Sequence, residues 1–162
     1  MKKHLGLIIG LCAAVLGFVA AFMIFAPALS VSEAGYSEVV KGSEIAFGGY
    51  NDLFKASAYM LPFLLCLVGV VFAVLAAIGK LGKIAPIIAA VCFIAGGIFF
   101  FLPIDFCAFK GVEDASAEAI KSMKDWLKEL FDLGAGAIVG GLFGILAGCA
   151  SVATIFVAKK AK

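Results

Sequence analysis

Residues 136–152 read GAIVGGLFGILAGCASV, with Gly136, Gly140, Gly144 and Gly148 at every fourth position. On an α-helix, side chains four apart lie above one another, so these glycines share one face. Glycine is about 1 kcal/mol worse than alanine inside a helix in water. A row of them in an apolar run makes sense where a second backbone must come very close. In lipid the hydrophobic effect does not draw helices together, and small residues permit the close packing that does. The stretch therefore predicts the packing seam of a transmembrane helix bundle.

The remaining composition points the same way. The chain has 162 residues, 64% of them hydrophobic and 15% charged, with a mean hydropathy of +1.16. Soluble domains run closer to half apolar and about a quarter charged. This is the composition of a polytopic membrane protein, and the length accommodates one bundle. Lysine supplies all of the basic residues, and there is no arginine. Arginine's planar fork is favoured for phosphate and base recognition, so a nucleic-acid partner is not expected.

Four apolar runs predict spans at residues 5–29, 58–78, 84–104 and 135–158, joined by two hydrophilic loops at 30–57 and 105–134. The first run follows Lys2 and Lys3, and Ala26-Pro27-Ala28 resembles a small-residue cleavage site. It is long for the apolar core of a signal peptide, about 7–15 residues, and suits a retained span. Its own small residues recur at four, as Gly6-Gly10-Ala14 and Ala13-Gly17-Ala21, which suits packing of span one against the Gly136–Gly148 face. Pro27 would mark its outer end, and Pro62 and Pro86 fall in the first turns of spans two and three. Phe99-Phe100-Phe101 closes span three and is expected to face lipid or the outer interface. Tyr50, Phe54 and Tyr59 suit an interfacial aromatic belt.

The two long loops carry the rest of the information. In the first, Val39-Val40-Lys41 and Glu44-Ile45-Ala46-Phe47 flank Gly42-Ser43, a pattern compatible with a short β-hairpin or with an irregular capping loop. In the second, residues 114–132 read as an amphipathic helix of roughly 28 Å. At 100° per residue, Ala119, Ile120, Met123, Trp126, Leu127, Leu130 and Phe131 fill an arc of roughly 140°. Ser116 is placed to cap its start. The apolar face formed by Ile120, Met123, Trp126, Leu127, Leu130 and Phe131 can rest on loop one, on lipid headgroups or on a partner.

Orientation follows from the lysines. The amino end, the Lys80–Lys83 turn and the carboxyl end are purely basic, while both long loops carry more acidic than basic residues. Basic segments stay in the cytoplasm, so four spans with both ends inside and both long loops outside are expected. No Asp, Glu, Lys or His falls within any predicted span. Proton relays and ion sites within a membrane normally require such groups. The five cysteines, Cys12, Cys66, Cys92, Cys107 and Cys149, stand singly, and His4 is the one histidine. That leaves no zinc or redox spacing, and no catalytic residue, cofactor or metal is expected.

Two functional classes remain. One is a non-enzymatic scaffold, adhesion or accessory subunit. It would work through its outer loops or lateral helix contacts, with the lipid bilayer, a membrane or extracytoplasmic protein, or a second copy of itself as partner. The other is a small oligomeric or holin-like pore with the glycine row as its intersubunit seam. The layout of short cytoplasmic ends and two outer loops resembles the claudin-type tetraspan proteins. The claudin first-loop pattern of a tryptophan, Gly-Leu-Trp and two cysteines is missing, because residues 30–57 contain neither Trp nor Cys. The segment Lys41-Gly42-Ser43-Glu44-Ile45-Ala46-Phe47-Gly48 ahead of span two is similar to that of uncharacterised bacterial four-span proteins. Neither resemblance carries functional residues with it. The expected fold is thus an all-α, antiparallel four-helix transmembrane bundle with an extracytoplasmic cap, forming a single membrane domain.

Overall fold

The computed structural model describes residues 2–33, 36–48, 56–79, 81–106 and 116–159. Long helices dominate it: α1 (Lys2–Phe22), α3 (Leu61–Ala77), α4 (Ile84–Phe100) and α6 (Ala135–Lys159). Stretches Leu5–Phe25, Ser57–Ala77 and Ala135–Val157 are long and apolar enough to cross a membrane, and Ile84–Phe100 is a shorter apolar helix of 17 residues. Each helix packs on two neighbours, so α1, α3, α4 and α6 follow one another around a closed ring. The start of α1 lies beside the ends of α3 and α6: Gly10 faces Ala77, and Gly6 faces Val157.

Small side chains line the interior around one large ring, and many of the other large side chains lie on the outside. Ala13, Ala73, Ala89 and Ala147 are buried around the ring of Phe93, which fills the centre of the bundle. Gly17 on α1 and Gly69 on α3 make room for that ring, because a Cβ at either position would run into it. Leu5, Ile8, Leu11, Val15, Phe18 and Phe22 lie exposed down the outside of α1, and Ile138, Leu142, Leu146 and Phe156 down the outside of α6. Contiguous apolar surface on this scale is not found on soluble monomers, whereas lipid accommodates it.

The chain is not wholly helical. A small cap stands over one end of the bundle, built on a three-stranded sheet in the order β2-β1-β3, with β1 at Pro27–Glu33, β2 at Tyr36–Lys41 and β3 at Asp132–Leu133. β1 pairs antiparallel with β2 from Pro27↔Lys41 to Glu33↔Tyr36, and with β3 at Leu29↔Leu133 and Ser30↔Asp132. The hairpin, one of the two readings of the first loop, places its turn at Gly42-Ser43. Val39-Val40-Lys41 does form a strand, but its partner is β1, and Gly42–Phe47 is helix α2. The Glu44 carboxylate accepts the Lys41 N–H at 3.0 Å, giving that helix a start, and Gly48 ends it with φ +79°. Pro27 opens β1; the first helix ends at Phe22 and a 3-10 turn, Met23–Phe25, leads out of it. The third apolar helix likewise stops at Phe100, short of residue 104.

Two aromatic expectations are corrected. Tyr59 and Phe100 are buried and stand edge to face, with ring centroids 6.4 Å apart. The Tyr59 hydroxyl donates to the Phe100 carbonyl at 3.3 Å. Both therefore belong to the junction between bundle and cap, since the cap core of Leu29, Val40, Ile45, Ile104 and Leu127 gathers around Tyr59. Tyr50 and Phe54 lie outside the described residues.

Candidate functional site

The six glycines of the two predicted small-residue rows meet four different elements. A Cβ at Gly136 would stand 2.7 Å from Ala26 Cβ, and one at Gly140 2.9 Å from Met23 Cβ. Lower down, a Cβ at Gly144 would stand 2.9 Å from Gly97 Cα, and one at Gly148 3.2 Å from the Ala90 carbonyl oxygen. The row thus packs on α4 along most of its length and on the exit from α1 at its top. Helix α1 also packs on α6, but its own glycines do not face the row: the nearest neighbour of Gly10 is Ala77 of α3, and that of Gly6 is Val157 Cγ1 at 3.9 Å, far along α6. Each of the four glycines of the row has an atom of its own chain within 3 Å of an added Cβ.

The missed partner of the row is Gly97. Its Cβ would lie 2.8 Å from the Gly141 carbonyl oxygen, so α4 contributes its own close-approach residue. The Gly96-Gly97 pair was visible in the sequence. It lacks the fourfold repetition that drew attention to α6.

Helix α5, Ala117–Leu130, is the amphipathic helix of the second loop. The Ser116 hydroxyl accepts the Ala119 N–H at 3.3 Å, which is an N-cap. Asp114 lies outside the described residues. The helix is held by one edge of its apolar arc. Leu127 is 3% exposed in the cap core, and Phe131 packs against that core just beyond the helix end. Two lysines one turn apart fasten the same side: Lys124 Nζ donates to the Asp105 carbonyl at 2.7 Å and Lys128 Nζ to Asp105 Oδ1 at 2.6 Å. Ile120 and Leu130 are half-buried.

The other edge of the arc is uncovered. Trp126 is 57% exposed and Met123 is exposed beside it, one turn earlier on the helix. The six-residue apolar face therefore splits into an anchoring edge and a free edge, a division that the wheel alone does not make. Between the helix end and the bundle lies a groove of about 570 Å³, walled by Leu102, Leu133 and Ile138 and rimmed by Asp105, Lys128 and Asp132.

Chemistry within the bundle is sparse. The buried hydroxyls of Ser151 and Thr154 donate to their own helix, to Ala147 O at 2.9 Å and Ser151 O at 2.6 Å. Among the described residues, no buried side-chain polar atom lacks a partner and no cluster of His, Cys, Asp or Glu could hold a metal ion. Cys12, Cys66, Cys92 and Cys149 are free thiols, and Cys107 lies outside the described residues. No protein-family model, no curated protein and no solved structure matches the chain.

Proposed function

We propose that the chain is a non-enzymatic integral membrane protein whose extracytoplasmic cap binds a protein partner through the free edge of α5. In this reading α1, α3, α4 and α6 are four antiparallel spans. Helix α4, at 17 residues, reaches the short end of the roughly 17–25 needed to cross the hydrocarbon core. The purely basic amino end, Lys80–Lys83 turn and carboxyl end support a cap outside the cytoplasm and both ends inside.

The observation that carries the reading is Trp126. A tryptophan 57% exposed on a helix fixed by Leu127 and by two lysine contacts is a rigid apolar anchor. Such residues dominate protein interfaces. With Met123 beside it, a partner gains area without having to order the surface it lands on.

The test is a photoreactive amino acid at position 126 of the full chain, irradiated in the native membrane. A crosslink to a discrete second protein is expected. Adducts confined to lipid would reject the docking role, and a crosslinked dimer would reassign the edge to contact between copies. Discrete single-channel conductance from the purified chain would favour the alternative of a small oligomeric pore.

A further inference from the structure

The groove at the end of α5 lies where the bundle meets the cap. Ile138 is in the first turn of α6, and Leu102 follows the end of α4 by two residues. Leu102, Leu133 and Ile138 are 36%, 39% and 41% exposed, so the apolar wall is open to whatever surrounds the bundle at that height. If α4 and α6 span the bilayer, that height is the boundary between acyl chains and headgroups.

The same groove is also lined by Asp105, Lys128 and Asp132. Lys128 is already bonded to Asp105 Oδ1, at 2.6 Å, in the one ion pair among the described residues. Lys124 also reaches Asp105, through its backbone carbonyl at 2.7 Å, and Asp132 is an exposed carboxylate with no ion pair among the described residues. An ammonium retains three donors, of which Lys128 uses one on Asp105, leaving two for a phosphate. An apolar wall, a cation with donors to spare and a carboxylate without an ion pair among the described residues match an acyl chain, a phosphate and an amine.

We propose that this groove seats one phospholipid with an amine headgroup, of the phosphatidylethanolamine class. Its ammonium meets Asp132, its phosphate meets Lys128, and its upper acyl carbons lie along Ile138 and Leu102. The inference rests on α4 and α6 spanning the membrane and is independent of whether Trp126 docks a protein.

The experiment is native mass spectrometry of the full chain released from micelles containing equal amounts of phosphatidylethanolamine and phosphatidylglycerol with matched acyl chains. The ethanolamine adduct should exceed the glycerol adduct about two- to fivefold, the scale of an exposed ion pair. Asp132→Asn should bring the ratio to near one, because the strand pairing of residue 132 uses its backbone. Ile138→Trp, at a site open enough to accept the larger ring, should fill the groove and remove the adduct. Equal adducts, a glycerol preference, or an ethanolamine preference that survives either variant would overturn the assignment. So would a dimer that Ile138→Trp dissolves, which would make a second copy the occupant. Loss of Trp126 crosslinking has no bearing on these ratios, so the two proposals fail separately.

Discussion

Gly144 of α6 and Gly97 of α4 meet backbone to backbone: a Cβ at residue 144 would lie 2.9 Å from Gly97 Cα and 3.1 Å from both Gly97 N and the Phe93 carbonyl oxygen. Nothing flexible stands in that contact. Gly144→Leu should therefore force the helices apart and lower stability by at least the roughly 1–3 kcal/mol typical of overpacking. Thermal unfolding in detergent would measure it. Gly140→Leu should also destabilise, since Met23 Cβ stands 2.9 Å from the same point. Wild-type melting temperatures for both variants would reject the close-packed face.

Gly6 provides the contrast. Its nearest neighbour, Val157 Cγ1, would be 3.9 Å from an added Cβ, an ordinary van der Waals distance. Gly6→Ala should be tolerated, or stabilise by up to about 1 kcal/mol through helix propensity. The same melting assay would decide, and a large loss would mean that α1 and α6 approach more closely than described.

Phe93 is held between Gly17 and Gly69 at the centre of the bundle. Phe93→Ala should cost about 3–5 kcal/mol, and Gly17→Ala should also destabilise, because the ring has nowhere to retreat. Since one contact underlies both effects, the double variant should lose less than the sum of the two. Strict additivity in denaturant titrations would count against direct contact.

Trp126 and Leu127 are adjacent in sequence and opposite in consequence. Leu127→Ser removes a side chain buried in the cap core and should destabilise by about 2–5 kcal/mol. Trp126→Ser should change stability by no more than about 0.5 kcal/mol while abolishing partner crosslinking. Proteolysis of the cap together with crosslink yield separates the two. Equal destabilisation by both would mean that Trp126 is a core residue.

Asp105→Asn tests how α5 is fastened. The Lys128–Asp105 pair is half-exposed, with side chains at 45% and 38%, so its loss should cost only about 0.2–1 kcal/mol. Added salt should shrink that difference further. The Lys124 contact to the Asp105 carbonyl survives the substitution, and hydrogen exchange along α5 should stay protected.

The glycine row was legible because its spacing matches the helical period, which holds whatever lies opposite. Its partner was not legible, because a small-residue face records that something comes close and not which helix it is. The cap was harder for another reason. Gly42-Ser43 fits the middle of a turn as well as the first turn of a helix, and the choice was made by the Glu44 carboxylate reaching back to Lys41. Pro27-Ala28-Leu29 continued an apolar run and read as helix, but the strand formed there pairs with residues 132–133 far along the chain. Phe100 read as lipid-facing because aromatic residues suit both an interface and a core. The Tyr59 hydroxyl and the edge-to-face ring settle it inside.

Strand β1 lies between β2 and β3, of which the first follows it almost directly in synthesis and the second comes far later. Its pairing with β2 is local and can form as soon as Lys41 has emerged. Its pairing with β3 waits for roughly a hundred further residues, a long loop to close. Until then the second edge of β1 offers bare N–H and C=O groups to any strand nearby. Two residues, Asp132 and Leu133, cover that edge at Ser30 and Leu29, and the Gly134 N–H that donates to the Ala28 carbonyl at 2.8 Å extends the cover towards the start of α6. The nascent chain is thus most vulnerable to pairing with its neighbours in the interval before β3 and α6 arrive.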